Sequence, residues 1–96
     1  MAQLIISASQ LTQKKDELTA LKNSFQKLVT RLESDANKLD SMWEGDAKNK
    51  FKTAMFVDIT KLKFFIEVLI EFISILGTII ELYKQIEKKN AAIASS

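Results

Sequence analysis

Three carboxylates in the second half of the chain, Glu67, Glu71 and Glu81, fall at spacings that place them on one polar line of a helix. Paired carboxylates can do general acid–base work when a substrate and a second catalytic group are held against them. This sequence supplies neither. It has no histidine and no cysteine, so the commonest general base, the commonest metal ligand and the thiolate nucleophile are all missing. Its two glycines, Gly45 and Gly77, stand far apart and form no phosphate-cradling loop. The glutamates therefore read as a solvated helix edge, and the chain as a non-enzyme without cofactor or metal. Lys48, Lys50, Lys52, Lys61 and Lys63 raise a second chemistry, phosphate binding. Lys48 and Lys52 share a helix face but Lys50 points away, so no continuous basic stripe forms. A net charge of +2 adds no argument for nucleic acid.

The positions that carry information are apolar. Ninety-six residues without proline make a single domain, 1–96, of two helices. The first helix is expected over about 7–42. Ser7 and Gln10 have the spacing of a capping box, and Ile6 and Leu11 that of a hydrophobic staple. Leu11, Leu18, Phe25, Leu32 and Leu39 recur every seven residues, flanked by Leu21, Leu28 and Met42 and by Val29, Ala36 and Trp43. Lys14 and Asp35 interrupt the pattern, Lys14 near the end where its charge reaches water.

The second helix is expected over about 46–90, with residues 91–96 as a frayed tail. One seam holds Ala47, Phe51, Met55, Leu62, Phe65, Leu69, Phe72, Leu76, Ile79, Tyr83 and Ile86, broken at Asp58, and a further stripe holds Ile59, Ile66, Ile70, Ile73 and Ile80. Phe64, Val68, Ile75 and Leu82 broaden it again. One partner helix cannot cover that much apolar surface. The expected fold is thus all-α: a helix-turn-helix hairpin of two long antiparallel helices, dimerising into a four-helix bundle. Ile66, Ile70, Ile73 and Gly77 are expected in or beside the dimer interface.

Between the helices lies Trp43-Glu44-Gly45, the turn at 43–45. Glycine takes the left-handed conformation freely and suits the position just past a helix C-terminus. Asp46 is the expected N-cap of the second helix. At the N-terminus, Leu4-Ile5-Ile6 has no basic residue before it and is too short for a signal-peptide core, so no cleaved signal is expected. The apolar stretch 64–83 is long enough to cross a bilayer, but its three glutamates nearly cancel the gain from insertion.

Trp43, Gly45, Ala47 and Phe51 match the W-x-G-x-A-x-x-x-F pattern of the WXG family, and the chain resembles that family over nearly its whole length. These are small helical hairpins exported by type VII secretion systems. The resemblance implies a secreted, non-enzymatic substrate, made in the cytoplasm and exported without a cleaved signal peptide. It implies pairing as a homodimer or as a heterodimer with a related hairpin, and recognition by the export ATPase. Tyr83 and Glu87 match the family's Y-x-x-x-[DE] C-terminal export signal. Two alternatives stand beside this reading. The chain could be a helper that pairs with the N-terminal helices of a larger secreted toxin, or a membrane-lytic effector acting through its apolar second helix.

Overall fold

The computed structural model describes residues 6–95. Leu4 and Ile5, and Ser96 of the expected tail, lie outside them. The described residues form two helices, α1 (Ala8–Ser41) and α2 (Gly45–Ser95), and no strand. The expected all-α hairpin is what the chain forms.

The start of α1 follows from its first residues. Ser7 is the N-cap in extended backbone; its Oγ accepts from the Gln10 N–H at 3.1 Å, and the Gln10 side chain accepts from the Ser7 N–H at 2.9 Å. This is the reciprocal capping box. The helix closes at Met42, whose N–H donates to the Leu39 carbonyl, while the Trp43 N–H reaches the Asp40 carbonyl at 3.3 Å. Trp43 therefore sits beyond the helix, in the connection.

The connection differs from the expected one in where its glycine acts. Gly45 has φ +73°, the one left-handed residue among those described. It stands at the entry to α2, however, and not immediately past the end of α1. The reversal is made by the residue that starts the second helix. Asp46 consequently falls inside the first turn of α2, where its charge suits the positive end of the helix dipole but does not precede the helix as a cap. At the other end, α2 continues through Ser95, past the limit of about 90 expected from the sequence. Residues 91–95 are helical: Ala91, Ala92 and Ala94 have the highest helix propensity, and no glycine or proline stops them.

At 1.5 Å per residue, 51 residues span about 77 Å. The longest dimension of the molecule is 77 Å, against 21 and 20 Å across, so α2 alone sets its length. The helices are antiparallel. Ala8 meets Glu87, Phe25 meets Phe65, and Glu33 meets Lys63, so partners in α2 descend as α1 ascends. Lys88 to Ala94 run on past the start of α1 and are exposed.

The seam between the helices is narrow. From α1 it takes Ala8, Val29 and Ala36; from α2 it takes Ile59, Ile66 and Ile80. Ala8, Lys15, Lys22, Val29 and Ala36 recur every seven residues, and the two lysines are only half-buried. Opposite Lys15 is Gly77: a Cβ on that glycine would lie 3.4 Å from the Lys15 ammonium and 3.6 Å from its Cε. The missing side chain makes room for the lysine stem, which covers apolar surface while its charge reaches water.

This seam takes up part of the set expected in or beside a dimer interface. Ile66 is 5% exposed within the hairpin, and Ile73 and Gly77 are half-buried in it. Only Ile70, 41% exposed, remains outside. α2 has two apolar stripes, and the isoleucine stripe is the one that faces α1.

The two glycines should respond oppositely to substitution. Gly45→Val forces a β-branched residue to positive φ and should cost roughly 1–3 kcal/mol. Gly77→Ala replaces a helix-interior glycine and meets only the flexible end of Lys15, so it should stabilise by roughly 0.5–1 kcal/mol. Thermal unfolding followed by circular dichroism checks both; a stabilising Gly45→Val would refute the turn argument.

Candidate interaction surface

Leu18, Phe25, Leu62, Leu69 and Leu76 are half-buried beside the seam, but many other large apolar side chains of both helices lie outside it. On α2, Phe65, Phe72, Ile79 and Ile86 recur every seven residues, and Val68, Ile75 and Leu82 run three positions ahead of the first three. All seven are exposed, Phe72 by 55% and Ile75 by 52%. On α1, Leu21, Leu28, Leu32 and Leu39 are exposed too, Leu21 by 66%.

These two sets occupy the same broad side of the hairpin. Phe25 and Phe65 touch edge to face across the seam, with ring centroids 5.6 Å apart, and mark that edge. Leu21, Leu28 and Leu32 are helical neighbours of Phe25, at four behind, three ahead and seven ahead; Val68 and Phe72 are neighbours of Phe65 in the same sense. The other edge is polar. There the Lys63 ammonium meets the Glu33 carboxylate at 2.6 Å, beside Gln26, Thr30 and Glu67. The hairpin is therefore two-faced.

Its surface area gives the same conclusion in magnitude. The chain exposes 7809 Å². A compact monomer of 10.9 kDa would expose about 5,600 Å² by size scaling, so the excess is about 40%. The radius of gyration, 21.7 Å, compares with about 12–13 Å for a compact chain of this length. None of the described side chains is fully buried.

The turn motif is only partly assembled. Trp43 packs edge to face on Phe51, with ring centroids 4.5 Å apart, and so ties the connection to the second turn of α2. Gly45 supplies the reversal. Ala47, one turn before Phe51, is exposed. Tyr83 and Glu87 lie about 60 Å from the turn along α2, since 40 residues separate Trp43 from Tyr83. A single hairpin does not bring the two motifs together.

Glu87 has a role that sequence spacing did not reveal. Its Oε1 accepts a hydrogen bond from the Ala8 N–H at 2.8 Å. α1 has no acidic residue in its own first turn, so Glu87 supplies from α2 both the acceptor and the negative charge that a helix start favours. The available signal was that absence, combined with an acid near the far end of an antiparallel partner. Tyr83 is exposed and free of any such tie to α1 among the described contacts.

The glutamate line Glu67, Glu71 and Glu81 carries no metal cluster: among the described residues no three His, Cys, Asp or Glu could hold an ion. Also among them, no helix is long and apolar enough to cross a membrane. Comparison of the chain with protein-family models, with curated proteins and with solved structures finds no match.

Glu87→Ala should loosen the open end of the hairpin by roughly 0.5–1.5 kcal/mol, the net worth of a hydrogen bond. Amide exchange should quicken at Ala8 and its neighbours and stay unchanged near Trp43. Uniform acceleration along both helices would contradict a local clasp.

Proposed function

We propose that the chain is a helical pairing subunit: two hairpins close their apolar faces on one another to make a four-helix bundle, and the pair serves as a type VII secretion substrate or co-secreted partner. The observation that carries this reading is the exposed apolar side built jointly by Leu21, Leu28 and Leu32 of α1 and Phe65, Phe72 and Ile75 of α2. A stable protein–protein interface needs about 1,200–2,000 Å² of buried surface, and the excess exposure of one hairpin is of that order. The residues of this interface are the phenylalanine and leucine set. They replace Ile66, Ile73 and Gly77, which α1 already covers.

The secretion half of the reading rests on the W-x-G-x-A-x-x-x-F spacing from Trp43 to Phe51 and on Tyr83 with Glu87. In an antiparallel bundle the turn of one hairpin lies beside the helix ends of its partner. Trp43 of one chain would then adjoin the Tyr83–Glu87 segment of the other, and the export ATPase would recognise the assembled pair. Glu87 holds Ala8 within its own chain, so Tyr83 is the freer half of that signal.

Sedimentation separates pairing from folding. Phe72→Glu and Ile75→Glu should each give a monomer that keeps its helical circular dichroism, because the charge goes onto a surface that is exposed in one hairpin. Ile66→Glu should lose helicity as well, because it puts an unpaired charge into the seam. A wild-type monomer at micromolar concentration would refute pairing with itself, and co-purification with a second hairpin would then identify the heterodimer. In a secretion assay, Trp43→Ala and Tyr83→Ala should block export while sedimentation still reports pairs. Leakage from lipid vesicles by the wild type, absent in Phe72→Glu, would instead favour the lytic reading.

A further inference from the structure

Two charged residues stand in the apolar face of α1. Lys14, Leu21, Leu28, Asp35 and Met42 recur every seven residues and share one column of that helix. Leu21 and Leu28 are 66% and 63% exposed, and the two charged residues are exposed beside them. A charge among leucines is a liability once the face is covered, unless an opposite charge meets it there. Within the hairpin the match is incomplete. Lys14 reaches Glu17 at 3.3 Å in open solvent. Asp35 makes no ion pair among the described residues, although Arg31 and Lys38 stand one turn to either side.

The two charges are placed symmetrically about the two leucines. Lys14 lies seven before Leu21, and Asp35 seven after Leu28. A two-fold axis that crosses α1 at right angles between Ser24 and Phe25 exchanges Leu21 with Leu28 and Lys14 with Asp35. Two copies of α1 laid antiparallel across that axis set leucine against leucine and ammonium against carboxylate, each contact occurring twice. Next to this column, Glu17 of one copy comes level, within one residue, with Arg31 of the other. A patch that complements itself in this way suits an isologous interface between identical chains.

Two further features agree with the same axis. The point between Ser24 and Phe25 is the middle of α1 (Ala8–Ser41), so the two copies of that helix overlap along their whole length. It also brings Trp43 of one copy level with Ile6 of the other, beside the end where Glu87 clasps Ala8. A slip of one heptad sets Lys14 against Leu28, or Asp35 against Leu21, and so buries a charge on a leucine. With both turns at one end, α1 would instead cover α2 of the second copy. Lys15 lies over Gly77 within the hairpin, so Lys14 would then come level with Ile79 and Leu82 of that copy, which offer it no charge. On the α2 half of the face, Asp58 and Lys61 stand seven before Phe65 and Val68; being three apart on one helix, they can neutralise each other without a partner.

We propose that the apolar face takes a second copy of this chain in a single register, fixed by two symmetry-related ion pairs, Lys14 of each copy with Asp35 of the other. This rests on pairing through that face, and adds to it the partner, the axis and the residues that select both.

Charge reversal in the full chain tests it. Lys14→Asp and Asp35→Lys each turn two attractions into two repulsions, so each should weaken self-association about tenfold in sedimentation at low salt. Circular dichroism should be unchanged in both, since both residues are exposed in one hairpin. An equimolar mixture of the two variants should pair as tightly as wild type, because the mixed dimer again sets ammonium opposite carboxylate at both sites. Loss of packing, or of the Lys14–Glu17 contact, gives no such recovery. The register is read separately. The chain has no cysteine, and Ser41 is exposed and outside the column, so Ser41→Cys accepts one spin label per copy. The labels should lie about 50 Å apart, about 33 residues at 1.5 Å each, against about 40 or 60 Å for a one-heptad slip and about 30 Å or less with both turns at one end. A wild-type dimer whose affinity ignores both reversals, a mixture that does not recover, or labels at one of the other separations overturns the register and leaves pairing standing. A wild-type monomer overturns pairing and register together.

Discussion

Two helices can touch along only one line. That constraint governs this molecule, because nearly half of its residues are hydrophobic and both helices are apolar around more than one stripe. The line of contact takes small and β-branched side chains: Ala8, Val29 and Ala36 against Ile59, Ile66 and Ile80. Small residues on α1 let the helix axes approach, and the isoleucines fill the space between them. Leu21, Leu28, Phe65 and Phe72, which would bury much area, are left on the outside. Such an exposed apolar side leaves area to bury, and burial of each such side chain is worth about 1.5–3 kcal/mol.

The seam alone does not fix how the helices slide past each other, since a heptad pattern repeats. Its two ends and its middle do. At the closed end, the left-handed Gly45 and the Trp43–Phe51 contact set the reversal. At the open end, Glu87 holds the Ala8 N–H. Between them, Lys15 lies over Gly77 and Glu33 meets Lys63. The lysines in the seam make poor core, but each demands a partner of particular size and charge, and a shift by one heptad would bring Lys15 against a different α2 residue. Exposed ion pairs such as Glu33–Lys63 contribute little energy, so they tune the alignment that packing has set.

The polar side is not featureless either. Asp40 and Phe56 both stand where stability alone would not put them, one carboxylate at a helix C-terminus and one aromatic ring in water.

Among the described residues, helix number, the absence of strands, the Ser7–Gln10 cap and the turn around Gly45 were all legible in the sequence, because each depends on neighbours within one or two turns: unbroken three-and-four spacing, a box of two side chains, one glycine among bulky residues. The choice between stripes was not legible. Leu21, Leu28 and Phe72 have the same periodicity as Val29 and Ile66, and periodicity fixes only that residues share a face, not which face meets the partner. Nor was the clasp of Glu87 on Ala8, which joins residues 79 positions apart, or the isolation of the Asp40 oxygen, which depends on how the two helices pack. The sequence by itself determined two apolar helices and the point where the chain turns back, since those follow from local backbone energetics. Tertiary structure alone decided which apolar side is buried and which is offered, because that depends on how two surfaces fit, and a helix carries no record of its partner's shape.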